Sequence, residues 1–444
     1  MRLTWEQTGG WFDREFSLVD EKENTVESLG SNPSLITLRN AEQEYGERID
    51  LWQAGLLCSD CGNEINGRFG STPSGDLLCW ECAIDAQSDE ENQLTVNTDP
   101  TKATISESHL HEKSLCDYVV NVATGCRHGC KFCYVPSTPG VSARGDMLDE
   151  RAEVEDVQRD WGSYLLYRDD LPERLHTELE TKDYWKHTEG GRGVVMLSSG
   201  TDCYQDRRAA QITRGCIAEL AQHGRPVRIL TRSPAVVRDI DLFKEYKDLI
   251  TVGSSIPSLD DDLVRTMEPN APPPSARWET LDRLRKEGVR RFVSMSPTYP
   301  TMGEDEFWNV LTFLKALDPE VIFHEPINPR GENFQMCLRA AKEAGRDALA
   351  DELEKLTNHQ NWIEYAIEQI DLVQRLADEI GGLQIHSWPD RELIQSTTGE
   401  LRFKLNDMKD SVSPEQFGEE PVEESESQCS LVEDPKNIRS QIRS

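Results

Sequence analysis

The feature that most constrains this sequence is an alternation of short apolar runs with helical patterns between about residues 116 and 330. The runs are DYVVNVA (117–123), VVMLSS (194–199), VRILT (227–231), ITVGSSI (250–256), RFVSMS (291–296) and VIFHEP (321–326). Each has the length of a strand and is mostly aliphatic or β-branched, the texture of a parallel strand buried on both faces. Between them, RRAAQITRGCIAELAQHG (207–224) spaces its apolar residues as a helix does and stops at Gly224. SPAVVRDIDLFKEY (233–246) opens on Ser-Pro, a cap followed by a proline with its φ already helical. SARWETLDRLRKEG (275–288) and GEDEFWNVLTFLKALD (303–318) follow the same grammar. This spacing predicts βαβ units and a parallel sheet of six strands. The insert at about 140–190 is expected to carry helices of its own.

Around this α/β core, at 114–330, the chain divides further. Residues 1–85 form an N-terminal region with a first cysteine group, and 86–113 are polar and acidic like a linker. Residues 331–407 read as a helical extension, and 408–444 as an acidic disordered tail. No apolar run approaches the roughly 18–20 residues a spanning helix needs. The opening residues lack a basic stretch followed by an apolar one, so the expectation is a cytoplasmic protein without a membrane partner. The net charge of −33 fits either a surface that repels phosphate or a halophilic one, kept hydrated in high salt. Acid spread evenly with few lysines favours the halophilic reading.

Seven of the 12 cysteines fall into two groups. Cys58, Cys61, Cys79 and Cys82 form two C-x2-C knuckles separated by 17 residues rich in Gly, Asn, Ser and Pro. Four soft ligands on two knuckles suit a closed tetrahedral Zn2+ site of the zinc-ribbon kind, with a second Fe–S cluster as the alternative. Cys126, Cys130 and Cys133 give C-x3-C-x2-C directly after the first predicted strand. Three thiolates on one loop leave a tetrahedral Zn site incomplete, but they hold three irons of a [4Fe–4S] cube and leave the fourth open. Zn completed by His128, or plain burial, is the alternative. Gly125 and Gly129 let the backbone wrap closely, and Phe132 would shield the cluster from water.

With these motifs the chain resembles the radical S-adenosylmethionine (SAM) superfamily, and within it the spore-photoproduct-lyase-like branch, also called DNA repair photolyase-like. The resemblance covers about 116–330 and includes LSSGTDCYQ (197–205), ILTRSP (229–234), VGSSI (252–256) and SMSPTYP (294–300). It implies a partial (β/α)6 TIM-like barrel, a [4Fe–4S] cluster on Cys126, Cys130 and Cys133, and SAM on the open iron. One electron, from a reductase such as ferredoxin or flavodoxin, would cleave SAM to a 5′-deoxyadenosyl radical. Nucleic-acid repair, on DNA or RNA, is the substrate class implied. A protein, a small molecule, or a non-catalytic interaction role are the alternatives. Thr201, Arg232 and Ser255 match positions that contact SAM in the lyase, although ordinary strand-end polar residues look the same. Arg232 replaces a lysine, which keeps the charge but not the geometry. Ser199 stands where the lyase has a hydrogen-donating cysteine. Cys203 is the nearby thiol that would substitute for it, unless it is core packing. His324 and Glu325, ending the sixth run, are expected at the rim of the site. RLRKEGVRR (283–291) is expected on a solvated helix face more than on phosphate.

Overall fold

The computed structural model describes residues 94–415, apart from 198 and 330, together with the backbone of five strands nearer the N-terminus. Three of those, Leu3–Thr8, Glu15–Asp20 and Thr25–Ser31, pair antiparallel in a region whose sequence shows no clear period. The other two, Phe69–Ser71 and Leu77–Cys79, form an antiparallel pair between the two cysteine knuckles. Cys58, Cys61 and Cys82 lie outside the described residues, as does the side chain of Cys79.

Six parallel strands form where the apolar runs stand. They are β1 (Tyr118–Val120), β2 (Val195–Leu197), β3 (Val227–Thr231), β4 (Ile250–Ser255), β5 (Arg290–Thr298) and β6 (Ile322–Pro326). They lie in the sheet in chain order, each hydrogen-bonded to the next. A seventh parallel strand, β7 (Ile385–Ser387), extends the sheet beyond β6, and Ser106–Glu107 adds an antiparallel edge beside β1. Among the described residues the sheet ends on these two strands and does not close, so the barrel is partial. β7 has only three residues, too few for a period to show in sequence.

Helices return the chain from each strand end to the next strand start. They are α1 (Leu171–Thr181), α2 (Arg207–Gln222), α3 (Ile240–Glu245), α4 (Asp261–Met267), α5 (Pro274–Lys286) and α6 (Glu304–Lys315). Two of their starts are set by side chains that satisfy free N–H groups. Asp206 accepts from Ala209 N at the head of α2, and Asp260 accepts from Asp262 N and Leu263 N at the head of α4. After β6 come α7 (Gly331–Glu343), α8 (Asp347–Leu356) and α9 (His359–Ile380). Leu197, Ile229, Val252, Val293 and Leu311 are among the fully buried residues of the one large apolar cluster between sheet and helices.

Two expectations need correction. Part of the 86–113 linker belongs to the core. Thr95–Thr98 pairs parallel with Tyr164–Tyr167, and Asp99 is buried. The Asp99 carboxylate accepts from Thr124 Oγ1 at 2.6 Å, Arg144 at 2.6 Å and Arg168 at 3.1 Å. Its polar sequence looked like linker because its partners lie 25 to 69 residues further along the chain. Nor does the packed chain end at 407. Helix Gly399–Asp410 runs through that boundary, and Ser413 and Glu415 are buried. Glu415 meets the buried guanidinium of Arg228, which stands between the rings of Phe292 and Phe323 at 5.4 and 5.3 Å. An acidic residue there is the partner of a core arginine rather than tail. Among the described residues, no helix is long and apolar enough to cross a membrane.

Burial opposes ionisation of Asp99, but the hydrogen bond from Thr124 and the charge of Arg168 outweigh it and hold the carboxyl well below its usual range. The folded value is depressed, so its stabilisation is complete above the unfolded value of about 3.9 and fades as pH falls below that. Asp99→Ala should cost about 3–5 kcal/mol at neutral pH by leaving Arg168 uncompensated. Urea unfolding of the two proteins at pH 7 measures this, and the gap should narrow toward pH 3.

Candidate active site

A cavity of about 640 Å3 opens at the C-terminal ends of the strands, where barrel folds place their chemistry. Cys126, Cys130 and Cys133 line it from the loop that follows β1. The loop begins at Gly125, whose φ of +94° favours glycine. A Cβ there would lie 2.1 Å from the carbonyl oxygen of Tyr164, so no side chain fits.

The loop has little regular structure and is held from three directions. From the end of β2, Thr201 Oγ1 donates to Gly125 O at 2.6 Å. Gln205 Nε2 donates to the same Thr201 oxygen at 2.9 Å, while its Oε1 accepts from Arg127 N at 2.8 Å. From α4 and the turn after it, Met267 O accepts from Lys131 N at 2.8 Å, and Asn270 Nδ2 donates to Arg127 O at 3.1 Å. From α7, Asn333 Nδ2 donates to Phe132 O at 2.8 Å. The sequence reading missed Gln205, Asn270 and Asn333. Gln205 closes the segment LSSGTDCYQ but was given no role there.

Asp202 joins the loop to β3. Its carboxylate accepts from Tyr204 N at 2.9 Å, Thr231 Oγ1 at 2.6 Å and Arg232 N at 2.8 Å, and faces His128 Nε2 at 3.1 Å. Burial would raise this carboxyl. The hydrogen bond and charge of His128, with Arg232 N–H and Thr231, hold it down at about 2. Arg232 lines the cavity with its Nε donating to Glu268 at 2.8 Å and its guanidinium 5.7 Å from the Phe132 ring. Arg277 binds the same Glu268 and donates to Ser255 O at 2.9 Å. Burial opposes the Glu268 charge, but the two arginines outweigh it and lower its pKa. Thr201, Arg232 and Ser255 therefore all reach the cavity wall, with Thr201 also bound to the cysteine loop.

The donor set fits an Fe–S cluster better than a single Zn. His128, the loop's candidate fourth ligand, is turned to Asp202 at 3.1 Å and to the Asn270 carbonyl at 3.3 Å. That leaves three thiols, one short of a closed tetrahedral site but enough for three irons of a cubane. Burial pushes the Cys126 and Cys133 thiols up to about 12 and Cys130 also upward, so thiolate here requires a cation.

The sequence pattern described as the Radical SAM superfamily matches residues 120–314. The chain belongs to the radical SAM superfamily. An uncharacterised protein, ORF301, of Acidianus two-tailed virus is 32% identical over 246 residues, covering 53% of this chain and 76% of the viral one. An uncharacterised protein of Methanocaldococcus jannaschii is 27% identical over 43% of this chain and 63% of its own length. Among solved structures, a spore photoproduct lyase variant with bound AdoMet and dinucleoside spore photoproduct is 14% identical, with a TM-score of 0.46, over 78% of this chain and 92% of that one. SuiB of Streptococcus suis bound to S-adenosylmethionine is 11% identical, with a TM-score of 0.35, over 89% and 72%.

Other candidates fall differently in this radical SAM protein. Cys203 does not line the cavity. Its side chain is fully buried in the main apolar cluster, because the turn that brings Asp202 to the loop directs its neighbour into the core. Ser199 does line it, with Oγ donating to Asn121 at 3.2 Å. The fourth thiol at the wall is Cys337 on α7, pushed up to about 12 by burial. Strand alternation separates the pair at the end of β6. Glu325 faces the cavity and binds Lys113 at 2.9 Å, whereas His324 is buried against Thr298 Oγ1 at 3.1 Å. Burial pushes His324 down to about 3, so it stays neutral.

Thr201→Val should keep the fold but loosen the cysteine loop. The carbonyl of Gly125 would lose its donor, at a cost of about 1–3 kcal/mol. Iron per chain after anaerobic reconstitution should fall below wild type, with the circular dichroism spectrum unchanged.

Proposed function

We propose that the protein is a radical SAM enzyme that cleaves S-adenosylmethionine reductively at a [4Fe–4S] cluster on Cys126, Cys130 and Cys133. The carrying observation is that these three thiols share one clamped loop at the mouth of a partial barrel. When bound, the cluster with SAM on its open iron supplies the electron that breaks the sulfonium and yields a 5′-deoxyadenosyl radical. The chain's own residues then do three things. Thr201, Gln205, Asn270 and Asn333 fix the loop. Arg232, held by Glu268 beside Phe132, and Ser255 offer donors at the strand ends where SAM would lie. The buried wall, including Phe334 and Cys337, keeps water from the reacting carbon.

The lining speaks to the substrate class. Among the described residues of the wall, Lys113 is paired with Glu325, Arg232 with Glu268, and His128 faces Asp202. The basic run at 283–291 is also engaged within the chain: Arg285 and Lys286 with Asp282, Arg290 with Glu320, and Arg291 with Asp318. These pairings favour an uncharged group on a protein or small molecule over a phosphodiester, and so favour modification over nucleic-acid repair.

Two measurements test the reading. Anaerobically reconstituted protein given dithionite and SAM should form 5′-deoxyadenosine, and Cys130→Ala should form none. A reconstituted protein with a cubane spectrum that forms none would defeat the proposal. Fluorescence anisotropy with a labelled oligonucleotide should show no salt-dependent binding. A slope of log K against log salt of about −0.7 to −0.9 per neutralised phosphate, summing to several phosphates, would restore the nucleic-acid reading.

A further inference from the structure

On the far side of the barrel, α1 and α2 bring two histidines and a glutamate together. His176 and Glu180 lie four residues apart on one face of α1, and His223 follows directly after α2. One ligand atom from each lies within 4.8 Å of the other two. Both helices run away from the cavity, since α2 leaves the end of β2 and delivers the chain to the start of β3. The group therefore sits toward the strand N-termini, apart from the cysteine loop.

The hydrogen bonds fix what the imidazoles present. His223 Nδ1 lies 2.7 Å from the backbone carbonyl of Glu219, which only accepts, so that nitrogen carries the proton. In the neutral ring the lone pair is then on Nε2, and Nε2 lies 3.1 Å from Glu180 Oε1. Two acceptors at that distance repel unless a proton or a metal ion lies between them. His176 Nδ1 lies 2.8 Å from the Glu219 carboxylate, which in its ionised form also only accepts, so its Nε2 is the free ligand nitrogen as well. The two rings meet edge to face, 5.9 Å between centroids. An imidazole that donates its other N–H to a carboxylate or a carbonyl is how metal-binding histidines are held. Glu219 supplies both supports.

The geometry points to a surface site for a divalent ion of the zinc class, held by His176, His223 and Glu180. A metal about 2.0–2.1 Å from nitrogen and 2.0–2.2 Å from oxygen bridges a 3.1 Å separation without moving either residue far. Water fills the remaining positions, since the side chains of His176 and Glu180 are 53% and 60% exposed. Two imidazoles and a carboxylate select a borderline ion over Mg2+ or Ca2+, which prefer oxygen alone. Bound there, the ion ties the end of α1 to the end of α2. The other close group, His109, His111 and Glu112, has the Lys186 ammonium 3.4 Å from His111 Nδ1, where it competes with a metal.

Zn2+ titration of the full chain, with its Fe–S cluster reconstituted, separates this site from the cysteines. His223→Gln should take up one equivalent fewer than wild type while keeping the same iron content and the same 5′-deoxyadenosine yield. Glu219→Ala should retain the equivalent but weaken it about 10–100-fold. Should His223→Gln fold poorly, His176→Gln on the other helix reads the same loss. Equal Zn2+ uptake by wild type and the folded variant would overturn the site and leave only histidine–carboxylate ion pairs there.

Discussion

The hydroxyl of Thr201, donating to the carbonyl of Gly125, couples the end of β2 to the first turn of the cysteine loop. The loop carries three thiols but has no ladder of its own to hold them. Its backbone groups are satisfied instead by side chains and a carbonyl from β2, α4 and α7, elements that the sheet and the apolar core have already placed. Precision at the thiols is thereby borrowed from a rigid scaffold. Gly125 completes the arrangement, because the approach to Tyr164 O leaves no room for a side chain.

Buried carboxylates do the joining elsewhere. Asp99, Asp202, Glu268 and Glu415 are each buried, and each meets an arginine or histidine distant in sequence, Arg232 in the case of Glu268. Such pairs add little net stability compared with apolar packing, since both charges must leave water. What they supply is direction. A hydrogen-bonded guanidinium fits one carboxylate in one orientation. Glu268 sets the plane of Arg232 beside the cysteine loop, and Asp202 locks the strand end that follows it. In a chain with a net charge of −33, these few acids act by position, while most of the other acids among the described residues are not buried.

The parallel core was legible because strands buried on both faces leave continuous apolar runs, and all six runs became strands. The three loop cysteines were legible because their spacing is local. What escaped the sequence depends on partners far away. β7 has three residues and exists only because β6 offers an edge. The strand Thr95–Thr98 looked like polar linker because its stability comes from Asp99 meeting Arg168. Cys203 and His324 show a different limit. Each is one residue from a side chain that does reach the cavity, yet the turn after β2 and the alternation of β6 send them into the core. Nearness in sequence gave no direction. Asn270 and Asn333 carry no local signal at all, since an asparagine that clamps a loop reads like one facing solvent.

The shared superfamily pattern ends at 314, but the cavity does not. Its wall continues through Glu325 on β6, Phe334 and Cys337 on α7, and Asp390 beyond β7. The cysteine side is built from the matched region, with its charges already paired. The opposite side comes from the segment after it, which also supplies Asn333 to hold Phe132. The cavity is therefore completed by a segment outside the matched region, and that segment is mechanically tied through Asn333 to the loop it faces.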